Sequence, residues 1–171
     1  LGTREAPGRL FDLGRLVHRS AFFPGTRGSS SLKKVLPALL TSSAQLRDRY
    51  AAPSYGSADG APSLNFVGQA WGQSDANGAV IDPYKLLGER TEDPDLTGLE
   101  LREEDDTAVA AGGGAMVAYG LLQSGLLDEP ARQRLRSQLL RYCELDTLAM
   151  VMAWEGLHEV LAKVKSPLTT A

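Results

Sequence analysis

The last third of the chain carries the pattern that most constrains its fold. Asp128 is a helix-capping residue, Glu129 follows in what would be the first helical turn, and Pro130 stands where proline is favoured. Apolar residues then recur at intervals of three and four, as on one face of an α-helix: Leu135, Leu139, Tyr142, Ala149, Ala153, Leu157, Val160 and Val164. The pattern predicts one long helix from Asp128 to about Lys165, before Pro167.

Shorter elements are predicted in the first fifty residues. Gly8–Leu13 is typical of a short strand, and Leu13–Arg19 of a short helix. Ser29–Ser31 offers hydroxyl caps for a further helix that begins near Leu32. Pro37 lies inside that helical pattern, so the helix is expected to be short or kinked.

The middle of the chain differs in composition from both ends. From Tyr50 to about Asp106 it is rich in Pro, Gly, Ser, Asp and Ala, which predicts a long loop insertion with short local elements. The acidic run Glu103–Asp106 at its end is interpreted as solvated surface. Gly112–Gly114 is not a phosphate-binding Walker loop, since no Gly-Lys-Ser/Thr follows, and it predicts a flexible turn or a close backbone approach. A helix over Ala115–Leu122 is expected next.

Length and composition indicate one soluble domain in a reducing, cytoplasmic compartment. The 171 residues suffice for one domain with a core, and a net charge of −3 neither supports nor excludes nucleic-acid binding. Cys143 is the only cysteine, so no internal disulfide forms. No apolar run has the length of a membrane span, and no signal peptide is evident. Because the chain begins at Leu1 and enters at once on a strand, we expect a fragment.

Asp146 interrupts the apolar stripe of the last helix. An ionised carboxylate facing a core is costly unless it is paired, hydrogen-bonded or bound to a metal. Asp146 is therefore either a buried structural residue bonded to an amide or an arginine, or a functional carboxylate. Tyr142 lies four residues earlier, which places both side chains on one face of the helix. A phenol beside a carboxylate could orient a metal-bound water while the carboxylate holds the metal.

The Tyr-x-x-x-Asp pattern of Tyr142–Asp146 resembles the third motif of the DEDD superfamily of 3′–5′ exonucleases, in its tyrosine-bearing subclass. The order of further segments agrees, and the whole is most similar to a bacterial family catalogued only as a domain of unknown function (number two-seven-seven-nine). The resemblance lies at both ends of the chain and more loosely in the middle, in the segments Phe11–Leu13, Gly28–Leu39, Asp82–Leu87, Gly113–Tyr119 and Tyr142–Val151.

The resemblance implies an α/β fold, the C-terminal part of a ribonuclease H-like (DnaQ-like) domain covering residues 1–171. It implies two divalent ions, Mg²⁺ or Mn²⁺, with Asp146 as a metal ligand and Tyr142 orienting the attacking water. The family's other carboxylates, an Asp-x-Glu on a strand and an acidic residue on a helix, would precede Leu1. Asp12 is not a substitute for them, because its position corresponds to a later strand.

Weaker candidates have two interpretations each. Ser31, Lys33 and Lys34 lie at a predicted helix N-terminus that could bind a nucleic-acid phosphate, although plain capping with surface lysines is the simpler interpretation. Trp71 and Tyr84 could stack bases or pack locally. His18, His158 and Cys143 are interpreted as ordinary residues, with Cys143 as a small packing residue.

Two functions remain open from the sequence. One is a metal-dependent 3′–5′ exonuclease that acts on DNA or RNA, and the other is a non-catalytic binding or scaffold module of the same fold. The partners expected are nucleic acid and the N-terminal part of the same domain, with no membrane. Since Asp146 alone cannot hold two divalent ions, the isolated chain is expected to be an incomplete nuclease. Because the central strands of the expected sheet would also be missing, the chain is expected to be marginally stable, or to associate with itself or with its missing half.

Overall fold

The computed structural model describes residues 12–20, 23–88 and 110–165. These residues form helices joined by loops, named here α1 to α6 in chain order: Leu13–Ser20, Leu32–Ser42, Ala44–Ala51, Lys85–Gly88, Ala110–Ser124 and Glu129–Lys165. Within the described ranges there is no β-strand, and extended pairing is limited to two isolated antiparallel bridges, Tyr55 with Gln69 and Ser74 with Val80.

The expected α/β, ribonuclease H-like architecture is therefore wrong for the described part of the chain. Residues 8–11 of the expected strand lie outside the described residues, and its last residues start a helix instead. The Asp12 carboxylate accepts a 2.9 Å hydrogen bond from the Arg15 amide, and the Asp12 carbonyl accepts one of 3.1 Å from Leu16. Asp12 thus caps the N-terminus of α1, a position at which aspartate is favoured.

Helices α2 and α6 form the centre of the core and bury their apolar faces against one another. A β-carbon on Gly156 of α6 would lie 2.9 Å from Cδ2 of Leu39, so glycine permits the close approach of these helices. The helix α2 continues through Pro37 for 11 residues in all. The buried side chains of the two helices are Val35, Leu36, Ala38, Leu39, Leu40, Leu135, Tyr142, Leu145, Ala149, Met152, Ala153 and Leu157.

Ser43 alone separates α2 from α3. Its amide bonds the Leu39 carbonyl at the end of α2, and its hydroxyl oxygen accepts a 3.0 Å hydrogen bond from the Leu46 amide at the start of α3. The same hydroxyl donates to the Glu159 carboxylate on α6. One side chain thus caps α3 and fixes the α2–α3 corner to the last helix.

The loop that follows α3 is held by aromatic packing. Trp71 is 1% exposed, and its ring lies 4.9 Å from that of Phe66 and 6.0 Å from that of Tyr55, both edge-on or tilted. The amides of Trp71 and Gly72 both donate to the Tyr50 carbonyl. A β-carbon on Gly72 would lie 2.1 Å from the Arg47 carbonyl oxygen, so the loop passes against α3 where only glycine fits. The expected insertion is therefore packed over its described part, residues 50–88.

The last two helices form a hairpin. The predicted last helix is confirmed as Glu129–Lys165, and the Asp128 carboxylate accepts a 2.8 Å hydrogen bond from the Ala131 amide at its start. The preceding helix begins earlier than expected, at Ala110, so Gly112–Gly114 is helical and its interpretation as a turn is wrong. Helix α5 packs along α6.

No helix among the described residues combines the length and the apolar composition that crossing a membrane requires.

Candidate functional site

Tyr142 and Asp146 lie one turn apart on the unbroken helix α6. Tyr142 is 8% exposed and belongs to the core-facing side, whereas Asp146 is half-buried at the edge of that side. Neither side chain therefore lies on the open surface. The expected sheet beneath Asp146 is not found, because α6 packs on helices within the described part of the chain.

A tyrosine from the middle of the chain reaches Asp146. The Asp82 carboxylate accepts a 3.0 Å hydrogen bond from the Tyr84 amide, and the Asp82 carbonyl accepts one of 2.9 Å from Lys85, which makes a tight turn into α4. This turn directs the Tyr84 ring towards α6, where its hydroxyl donates a 2.7 Å hydrogen bond to Oδ1 of Asp146. This hydrogen bond holds the Asp146 carboxylate in one orientation through its Oδ1 atom.

Lys33 completes the cluster from the first turn of α2. Its Nζ atom lies 4.9 Å from the ring centroid of Tyr142 and 5.5 Å from that of Tyr84, within the range of a cation–π interaction. The two tyrosine rings are 6.2 Å apart and tilted by 54°. We call Lys33, Tyr84, Tyr142 and Asp146 the tyrosine–aspartate site.

The Tyr84 hydroxyl stays protonated at any physiological pH. Burial raises the pKa of Tyr84 far above its ordinary value, and the hydrogen bond to the negatively charged Asp146 raises it further. A protonated phenol can donate but cannot act as a base near neutral pH. Tyr84 is therefore a positioning residue for the Asp146 carboxylate.

The donor set of this site fits only part of a metal centre. Asp146 offers a carboxylate, which suits Mg²⁺ and Mn²⁺, but the lysine and the two tyrosines are not ligands that these ions prefer. Across residues 12–20, 23–88 and 110–165, no group of three or more His, Cys, Asp or Glu side chains is placed to hold a metal ion. The acidic run Glu103–Asp106 lies outside the described residues.

The other sequence candidates are dispersed over the structure. Ser31 precedes α2, and its amide donates a 3.2 Å hydrogen bond to the Ser29 hydroxyl. Lys34 is exposed, whereas Lys33 is half-buried. Trp71 packs in the loop core, as the local-packing interpretation expects. Cys143 is exposed, which contradicts its interpretation as a packing residue.

Glu144, between the two motif residues, has a role that the sequence analysis missed. Its carboxylate accepts hydrogen bonds from the Tyr55 hydroxyl at 2.9 Å, from the Asn65 side-chain amide at 2.5 Å and from the Ser63 hydroxyl. Burial alone would raise the pKa of Glu144, but the hydrogen bonds from Ser63, Asn65 and Tyr55 outweigh it and lower the pKa below its ordinary value. Glu144 thus anchors the aromatic loop to α6.

Tyr84 was also missed as a partner of Asp146. The only local signal was the segment Asp82–Leu87, in which an aspartate, a proline and a tyrosine form a turn before an apolar pair. That pattern predicts a turn but does not indicate which carboxylate the phenol meets 62 residues later.

Comparisons of this chain with protein-family models, with curated proteins and with solved structures found no match. The resemblance to DEDD exonucleases rests on the sequence motifs and stays a hypothesis.

Proposed function

We propose that this chain contributes Tyr142 and Asp146 to a metal-dependent 3′–5′ exonuclease acting on nucleic acid. The observation that carries the proposal is the convergence of the Asp146 carboxylate, the Tyr142 ring and the Lys33 ammonium on one side of α6. The Tyr-x-x-x-Asp spacing of the exonuclease motif supports it, since the helix is continuous through both residues.

The chemistry of the tyrosine–aspartate site suits a phosphodiester substrate. Lys33 adds positive charge close to the N-terminal end of α2, where backbone amides also favour an anion. Asp146 would be one ligand of a divalent ion, which in such enzymes activates water and stabilises the leaving oxygen. The hydrogen bond from Tyr84 holds the carboxylate in a fixed orientation, so little reorganisation is required of it on binding.

A two-metal site needs more carboxylates than Asp146 provides. In this proposal the further ligands come from residues outside the described ranges or from another polypeptide. This chain would therefore supply Asp146 as one metal ligand, Tyr142 as an aromatic neighbour and Lys33 as a cation of the complete site.

A second candidate is a non-catalytic binding or scaffold module. The observation that favours it is the 2.7 Å hydrogen bond between Tyr84 and Asp146, because it supplies the partner that a half-buried carboxylate needs without any metal. In that case Tyr142 packs in the core, and Asp146 holds the loop that contains Tyr84 in position.

The test is digestion of end-labelled single-stranded DNA and RNA with Mg²⁺ or Mn²⁺, using the natural full-length protein. Asp146→Asn is compared with Asp48→Asn, a matched change at an exposed aspartate of α3. Loss of metal-dependent trimming in the first variant only supports the exonuclease. Equal trimming in both variants removes Asp146 from the mechanism, and no trimming by the wild type favours the non-catalytic module.

A further inference from the structure

A second site lies where the end of α3 meets the aromatic loop. A cavity of about 230 Å³ is lined there by Arg49, Tyr50, Tyr55, Gln69 and Trp71, with the small Ala61 in its wall. Drug-sized ligands occupy cavities of roughly 300–1,000 Å³, so this cavity suits a single ring system.

The cavity lies on the opposite side of α6 from the tyrosine–aspartate site. Its two tyrosines are bonded to α6 through Glu155, 3.0 Å from the Tyr50 hydroxyl, and through Glu144, 2.9 Å from the Tyr55 hydroxyl. Glu144 and Glu155 lie on one helix face at about 100° per residue, and Asp146 faces roughly half a turn away. The two sites are therefore separate.

Trp71, one of the residues that line the cavity, carries a buried donor without an acceptor. Among the residues that the structure describes, its indole Nε1 atom has no hydrogen-bond partner. Buried polar groups are almost always paired, so such a donor requires an explanation, and a ligand acceptor is one. An acceptor in the cavity reaches this buried nitrogen only when the side chains of the wall adjust, as interface side chains commonly do on binding.

The remaining walls define the ligand further. Tyr50 and Tyr55 are half-buried aromatic residues, and aromatic side chains favour a flat ring beside them. At the rim, Arg49 pairs with Glu155 at 3.0 Å while its side chain is 49% exposed. A guanidinium has five N–H donors, so this pair leaves donors for a phosphate.

We infer that this cavity binds a nucleobase that carries a keto oxygen, with the attached phosphate at Arg49. The ring lies among the tyrosines, and the keto oxygen accepts from Trp71 Nε1. The base can belong to a mononucleotide or to the end of a nucleic-acid strand. The inference is independent of the proposed exonuclease, because it uses no residue of the tyrosine–aspartate site.

The binding test uses Trp154→Phe, which leaves Trp71 as the only tryptophan, since the chain has two. Thymidine monophosphate is titrated against Trp71 fluorescence, beside thymidine, inorganic phosphate and a short oligothymidylate. We expect quenching by the monophosphate, at least tenfold weaker binding of thymidine, and no quenching by phosphate alone. Tighter binding of the oligonucleotide assigns the site to a strand end, and equal binding assigns it to a nucleotide.

Variants then locate the site. Ala61→Leu fills the cavity and should weaken binding at least tenfold in calorimetry, whereas Ala76→Leu, at an exposed turn alanine outside the cavity, should leave it unchanged. Ala52→Leu, also in the wall, replaces Ala61→Leu if the latter does not fold by circular dichroism. Trp71→Phe removes the indole donor and should weaken binding several-fold.

Two results would overturn the inference. One is the absence of both quenching and heat with every thymidine compound up to millimolar concentration. The other is equal affinity in the cavity-filling variant and in Ala76→Leu, which would move the binding elsewhere.

Discussion

The hydroxyl of Tyr84 donates a 2.7 Å hydrogen bond to Oδ1 of Asp146, joining the middle of the chain to the last helix across 62 residues. The contact binds the turn at Asp82 to α6 and gives the half-buried carboxylate a protein partner. In the structural interpretation this hydrogen bond is the partner that Asp146 needs, and in the catalytic interpretation it orients Asp146 as a metal ligand.

Tyr84→Phe should lower the free energy of unfolding by about 1–3 kcal/mol, because it removes a hydrogen bond to a charged group and leaves the carboxylate oxygen without its donor. Urea denaturation measures this loss. Tyr119→Phe is the matched control, since Tyr119 is 58% exposed on α5, and it should change stability by less than about 0.5 kcal/mol. Equal effects of the two variants would show that the Tyr84 hydroxyl contributes nothing.

Asp146→Ala should destabilise the protein more than Asp146→Asn does. The asparagine carbonyl can still accept from the Tyr84 hydroxyl, whereas alanine leaves that buried donor unpaired at a cost of about 1–3 kcal/mol. Thermal or urea unfolding of both variants gives the comparison, with Asp48→Asn and Asp48→Ala as exposed counterparts. If the alanine variant is as stable as the asparagine variant, the hydrogen bond is not structural.

Protonation of the Glu144 carboxylate should lower the stability of the protein in acid. Its pKa is lowered in the folded state by the hydrogen bonds from Ser63, Asn65 and Tyr55, which outweigh the opposing effect of burial. The carboxylate therefore contributes stability above its ordinary pKa of 4.5, and the contribution is lost as the pH falls through the lowered value. Unfolding free energies between pH 3 and 7, a range of about four units around that ordinary pKa, measure the loss.

Glu144→Gln is the control for the acid effect, because glutamine keeps acceptor oxygen without titrating. The difference in stability between wild type and this variant should shrink as the pH falls below about 4.5. A difference that stays constant across the range would contradict the assignment to Glu144.

Two glycine substitutions should have opposite effects. Gly156→Ala places a methyl group 2.9 Å from Cδ2 of Leu39 and overpacks the α2–α6 contact, at a cost of about 1–3 kcal/mol that should outweigh the gain of about 0.5–1 kcal/mol from replacing a helical glycine. Gly120→Ala on α5 places a methyl group that meets no atom of the described residues within 4 Å, and it should stabilise the helix by about 0.5–1 kcal/mol. Chemical denaturation of both variants tests the pair, and stabilisation by Gly156→Ala would show that the two helices are not in close contact there.

Local signals explain what the sequence predicted well. The final helix follows from Asp128, Pro130 and the apolar spacing, all of which act within a few residues, and its bounds agree with the structure. The strand expected at Gly8–Leu13 failed in its described part because Asp12 has an equally local alternative, to cap α1. The α/β expectation as a whole came from the family resemblance and not from a period-two pattern.

Long-range contacts explain what the sequence could not predict. The separation of Tyr84 from Asp146, and of Tyr55 from Glu144, is far beyond the reach of turn or helix patterns. Which phenol meets which carboxylate depends on how the loop after α3 folds over α6. The aromatic packing of Trp71 that determines this path is visible in the sequence only as scattered aromatic residues.

Glu144 and Asp146, two residues apart on opposite sides of α6, anchor Tyr55 and Tyr84 respectively. The chain between those tyrosines is thereby a strap attached to the same turn of α6 at both of its ends. A protease that attacks the strap needs a locally unfolded segment, and opening either fastening disturbs the turn that bears the other. Residues 55–84 should therefore resist cleavage as long as that single turn of α6 stays folded. The loop, although irregular, should unfold together with the helix.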